Sequence, residues 1–157
     1  MKGIWLAAVV LLLAACGIQP SGVTGAGRAP TGVAPGVTLY FVDGHGALEP
    51  RVRRTGRLGT IPGALALLLA GPGGSGLRTG IASTDVTWVG VDVRPGLIRL
   101  RVPLAAGEAT PRGIDQIVCT ALAAHVQGGG STATKVQVRF TTSGPESAAR
   151  RTCPLIG

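Results

Sequence analysis

Aromatic residues are scarce in this chain. Phe, Trp and Tyr make up 3% of its 157 residues although 45% are apolar, so a core has to be built from Val, Leu, Ile and Ala. Lysine is scarce too. Lys2 and Lys135 are the only two, and the excess of 15 basic over 7 acidic residues is carried by arginine. With 26 glycines, that preference matches high-GC coding, which accounts for part of the net charge of +8. No C-x-x-C or H-x-x-x-H spacing occurs, so a metal site has no framework in the sequence. No G-x-S-x-G elbow or close pair of acids occurs either, which removes the usual settings for hydrolysis. The apolar run 4–15 is about a dozen residues, short of the roughly 20 that a spanning helix needs.

The two ends of that run are informative. Met1-Lys2 supplies a positive start, and Leu13-Ala14-Ala15-Cys16 brings two small residues directly before a cysteine. The arrangement resembles bacterial lipoprotein signal peptides, in which the cysteine thiol receives a diacylglyceryl group and the chain is cut just before it. The resemblance implies a mature chain beginning at acylated Cys16, anchored to the bilayer on the extracytoplasmic side of the cell membrane. A plain secretory signal with an incidental cysteine is the alternative. For an exported chain, attraction to an anionic membrane or wall polymer is a more natural use of positive charge than nucleic acid.

Lipid accounts for one of the three cysteines. Cys119 and Cys153 remain, in a compartment where thiols are not kept reduced, so a disulfide is the default. A buried thiol and a metal site are the alternatives, the latter with only His45 and His125 to help.

Residues 17–36 are rich in Gly and Pro, lack a period and read as a flexible tether. At about 20 residues its typical reach is on the order of 25 Å. Val37, Leu39 and Phe41 then alternate with polar neighbours as a strand, Asp43-Gly44-His45-Gly46 supplies a turn, and 48–55 continues as a second strand that Pro50 assigns to a sheet edge. A helix is expected over 60–70, with Thr60 as cap and Leu65, Leu68 and Leu69 on one face; Gly71-Pro72 stops it, and 73–80 is a loop that is mobile or shaped around something. Strands are expected next at 86–93 and 97–102, the second with Ile98, Leu100 and Val102 on a buried face and Arg99 and Arg101 on a wet one. Thr110 and Pro111 open a second helix with Ile114, Ile117, Val118, Ala121 and Leu122 as its apolar stripe and Cys119 at the stripe's edge. The segment 135–141 alternates as a last strand, and the tail 143–157 has weak structure of its own, pinned back if Cys153 pairs with Cys119.

Particular residues now match a family. Val37-Thr38-Leu39-Tyr40-Phe41-Val42-Asp43 with Leu48, then Ala64-Leu65 and Leu67-Leu68-Leu69-Ala70-Gly71-Pro72, and Gln116-Ile117-Val118-Cys119-Thr120-Ala121-Leu122, resemble the GerMN domain of spore-germination and sporulation lipoproteins. The resemblance implies an α+β domain with two helices on one face of a small mixed or antiparallel sheet, in the order β-β-α-β-β-α-β, similar to ring-building-motif domains. It also implies a non-enzymatic part in an envelope, signalling or sporulation complex, with an envelope protein as partner and no cofactor. The expected organisation is residues 1–15 as signal peptide, 16–36 as lipidated start and tether, 37–141 as the domain and 142–157 as the tail.

Sharper readings of single motifs compete with plainer ones. Gly71-Pro72-Gly73-Gly74-Ser75-Gly76 fits G-x-G-x-x-G, but a helix precedes it and a loop succeeds it, the reverse of what a pyrophosphate site requires. His45 reads as a solvated turn residue, and His125 as a helix-end residue favoured by the dipole; no catalytic residue is expected. Arg51, Arg53, Arg54, Arg99, Arg101 and Arg139 could share the wet side of one sheet and dock onto lipid headgroups, wall polymer or an acidic partner. The plainer reading is that they keep an exposed sheet soluble. Trp88 stands among apolar residues on both faces of its expected strand, which suggests core packing.

Overall fold

The structure, a computed structural model, describes residues 36–56, 59–142 and 144–157. The expected signal peptide 1–15, Cys16 and the tether up to residue 35 lie outside the described residues. Alternation drives the first hairpin. Strand β1 (Gly36–Val42) turns Val37, Leu39 and Phe41 into the core and pairs antiparallel with β2 (Leu48–Arg54). The turn between them is built on Asp43, whose Oδ1 accepts the amides of His45 and Ala47, both at 2.8 Å. Gly46, at φ +84°, supplies the left-handed residue.

Pro50 lies opposite Tyr40, and the Tyr40 N–H and C=O point away from β2, so the donor that proline lacks is not needed there. Both Tyr40 groups are satisfied by the long helix α2 (Pro111–Gln127). Tyr40 N–H donates to Thr120 Oγ1 at 3.0 Å, and Gln116 Nε2 donates to the Tyr40 carbonyl at 2.9 Å. Gln116 and Thr120 are fully buried, one helical turn apart. Their side chains occupy the edge of β1 where a neighbouring strand would otherwise pair.

The α+β class therefore stands, but the strands form two sheets where one was expected. β1 and β2 form a two-stranded sheet, and β3 (Gly90–Arg94), β4 (Leu97–Arg101), β5 (Lys135–Arg139) and β6 (Arg150–Arg151) form a mixed four-stranded one in that order. β4 and β5 run parallel, with α2 as the crossover between them, and the outer pairs are antiparallel. α2 packs against β1, β5 and helix α1 (Ile61–Leu69), so it is buried over far more than one stripe: every residue from Gln116 to Ala124 is inside. Both long helices start as their sequences suggest, with Thr60 and Thr110 accepting the amides of Gly63 and Gly113 at 3.2 and 3.0 Å and proline in the first turn.

Two further expectations need correction. The strand placed at 86–93 forms only over Gly90–Arg94, because its partner β4 ends at Arg101. Val102 N–H donates to Arg139 on the β5 side, and the next residue that would face β3 is Pro103, which has no donor, so the pairing stops at Gly90. The tail, expected to be weakly structured, contains a short helix α3 (Pro145–Ala148) and β6, which pairs with β5 through Val136–Arg151 and Gln137–Arg150. The glycine-rich loop after α1 is shaped around the first hairpin. Arg78 bridges Val42 through two backbone hydrogen bonds of 2.7 and 2.8 Å, and its guanidinium donates to the carbonyls of Asp43 and Gly44.

Candidate functional site

Register decides which charged residues meet. In the four-stranded sheet Ile98 and Leu100 face the core, as do Val136 and Val138 beside them. The opposite face then carries Gly90, Asp92 and Arg94 from β3, Arg99 and Arg101 from β4, Lys135, Gln137 and Arg139 from β5, and Arg150 from β6. Asp92 is the only acid in these four strands, and it is paired with Arg94 at 2.9 Å. Arg101 stands directly across the parallel ladder from Arg139, with backbones about 5 Å apart. Two like charges so placed repel and favour any anion that comes between them.

Of the six arginines that could share one wet face, the structure brings together Arg99, Arg101 and Arg139. It does not bring the others. Arg51, Arg53 and Arg54 belong to β2 in the separate sheet, where Arg51 and Arg53 pair with Leu39 and Val37 and Arg54 turns to the opposite side. Arg51 there forms an exposed ion pair with Glu49 at 2.9 Å, of a kind worth little to stability. Arg94, Lys135 and Arg150 join the larger face instead, and the alternation of Lys135-Val136-Gln137-Val138-Arg139 is the sequence signal for one of them.

Trp88 is the larger correction. It is 70% exposed, because Val89 takes the inward position and Trp88 falls outward, in phase with Gly90 and Asp92. Its indole lies over Gly90: a Cβ on that glycine would sit 3.2 Å from Trp88 Cη2 and 2.9 Å from Arg101 Nε. The absent side chain is what lets the indole and the guanidinium share that spot.

Cys119 and Cys153 are joined in a disulfide with Cα atoms 4.8 Å apart, both buried. It ties the segment after β6 to the middle of α2. A shallow hollow of about 310 Å³ opens on the basic face between Gln137, Arg139 and α3, where Gln137 Nε2 donates to the Ser147 carbonyl at 2.9 Å. A second cleft of about 390 Å³ lies beside the start of α2, but its one cation, Arg151, is already paired with Glu146. His45 is exposed in the first hairpin turn, and His125 lies far along α2, with Nε2 3.3 Å from Thr134 Oγ1. Among the described residues no group of three His, Cys, Asp or Glu could hold a metal ion, and no helix is long and apolar enough to cross a membrane. The arrangement offers guanidinium and ammonium donors on an extended face, chemistry suited to binding anionic oxygens.

No family model, no curated protein and no solved structure matches this chain.

Proposed function

We propose that this chain is a lipid-anchored extracytoplasmic protein whose GerMN-like domain acts by protein contact, without catalysis, in an envelope, signalling or sporulation complex. The observation that carries the reading is Leu13-Ala14-Ala15-Cys16 at the end of an apolar run too short to span a bilayer. An α+β domain whose strand β1 starts at Gly36, 20 positions after Cys16 in the sequence, is consistent with it. Fatty-acid labelling and intact mass of the expressed chain, beside Cys16→Ala, test the anchor. A lipid-sized increment that the substitution abolishes is the expected result, and a wild-type chain without one ends the reading. Partner capture by cross-linking at the membrane tests the second half, and reproducible failure to capture any envelope protein counts against it.

A second reading is favoured by Arg99, Arg101 and Arg139 sharing one face: a binding module for anionic wall polymer or lipid headgroups. Retention on wall material or anionic vesicles at low salt, lost at high salt, is its expected signature.

A further inference from the structure

We infer that the outer face of the four-stranded sheet, with Trp88 at its β3 border, seats the domain on the headgroups of an anionic bilayer. This rests on the second reading above and selects lipid as the occupant.

The charge on this face is one-sided. Arg94, Arg99, Arg101, Lys135, Arg139 and Arg150 stand against the single carboxylate of Asp92, spread over four strands rather than gathered in a cleft. Four neighbouring strands extend over about 14 Å, so the cations form a broad patch that a plane of phosphates can meet. Five of the six are arginines, whose guanidinium is weakly hydrated and engages phosphate oxygens two at a time.

Trp88 is what separates a lipid surface from a simple polyanion. Tyr40, Phe41 and Phe140 are all buried, leaving Trp88 as the one exposed aromatic among the described residues. Val86, two residues earlier, is 54% exposed. An indole with an apolar body and a single N–H donor settles at the headgroup level of a bilayer, half in hydrocarbon and half in water. Gly90 holds that indole beside Arg101, so ring insertion and phosphate contact occur at one place. If Cys16 is acylated, the anchor raises the effective concentration of the domain at the membrane, and weak individual contacts then suffice.

Trp88 and Trp5 are the only tryptophans, so the full chain carrying Trp5→Phe reports on Trp88 alone. That protein is mixed with vesicles of phosphatidylcholine, or of phosphatidylcholine with phosphatidylglycerol, with and without bromine-labelled acyl chains, and both flotation and emission are recorded. The expected result is a blue-shifted Trp88 emission, quenched by brominated lipid, only where phosphatidylglycerol is present. High salt should reverse the shift, and Arg101→Glu with Arg139→Glu should weaken the anionic preference about tenfold or more. Both are exposed side chains, and an unchanged unfolding midpoint establishes that the double variant is folded. Trp88→Ser should lower binding to anionic vesicles without altering the midpoint.

Trp88 emission unchanged on anionic vesicles overturns the proposal. If wall polymer still retains the chain in that case, the second reading survives with a different occupant, and a shift induced by polyglutamate alone reassigns the face to acidic polypeptide. Flotation on phosphatidylcholine alone reports the anchor separately. A chain that fails it yet shows the anionic Trp88 shift loses the anchor and keeps the face.

Discussion

Gln116 holds Tyr40 by donating its side-chain amide to the Tyr40 carbonyl at 2.9 Å, and its other end accepts the Gly80 amide at 2.7 Å. With Thr120, which accepts the Tyr40 amide, this side chain closes the open edge of β1, and it also fixes the loop after α1. Gln116→Leu, of similar size, removes these two bonds and the longer one from the Thr79 hydroxyl at 3.5 Å, leaving the Tyr40 carbonyl and the Gly80 amide without partners. The expected loss is about 2 to 4 kcal/mol, read from urea unfolding. A variant within about 0.5 kcal/mol of wild type would show that water replaces the side chain and that the edge is not closed by it.

Gly113 should reverse the usual preference of helices. Alanine in place of a helical glycine ordinarily gains about 1 kcal/mol. Here the added Cβ would overlap the Gly80 carbonyl, which also accepts from Thr110 N–H at 2.8 Å. Gly113→Ala is therefore expected to destabilise by about 1 to 3 kcal/mol, whereas Gly63→Ala in α1, meeting only the Thr60 hydroxyl at 3.2 Å, should change far less. A stabilised Gly113→Ala protein would mean that the loop gives way freely.

Cys119 and Cys153 close a loop of 34 residues, for which chain entropy predicts about 4 kcal/mol of stabilisation. Cys153→Ser should lower stability by that order. Because β6 pairs with β5 through only two residues, the amides of Arg150 and Arg151 should also exchange much faster in the variant. Equal exchange with and without the bond would show that β6 holds itself in place.

The Asp43 carboxyl is held below the ordinary carboxylate range, first by the Ala47 amide and then by that of His45. A lowered folded pKa means that its contribution is present above the unfolded value of about 3.9 and disappears as pH falls through the lower folded value. An NMR titration should place the Asp43 midpoint below that of an unstructured aspartate, with exchange at Ala47 rising in the same window. Asp43→Asn, which keeps the acceptor, should abolish the pH dependence. A midpoint at or above the unfolded value would remove the turn from the account.

The local elements are largely legible in the sequence. Thr60 and Thr110 before a proline, the alternations of Val37-Leu39-Phe41 and Ile98-Leu100-Val102, and the Asp43 to Gly46 turn each depend on neighbours within a few positions, and the structure realises all of them. Trp88 is not legible in the same way, because apolar residues at 86, 88, 89, 91 and 93 do not declare which parity is inward. Only the pairing of Gly90 with Arg101 settles that. Gln116 and Thr120 lie outside the apolar stripe of α2, and nothing nearby in sequence indicates that they face Tyr40, 76 and 80 residues away.

The α+β class, the starts of both long helices and the wet faces of β4 and β5 are written locally in the chain, since caps and periodicity act over a single turn or strand. Long-range packing sets the rest: the strands divide into two sheets, Arg51, Arg53 and Arg54 part company with Arg99, Arg101 and Arg139, and Trp88 stands outside beside Arg101. The reason is physical: an edge can be closed by a strand or by a buried polar side chain, and which of the two occurs depends on groups that meet only when the chain is folded.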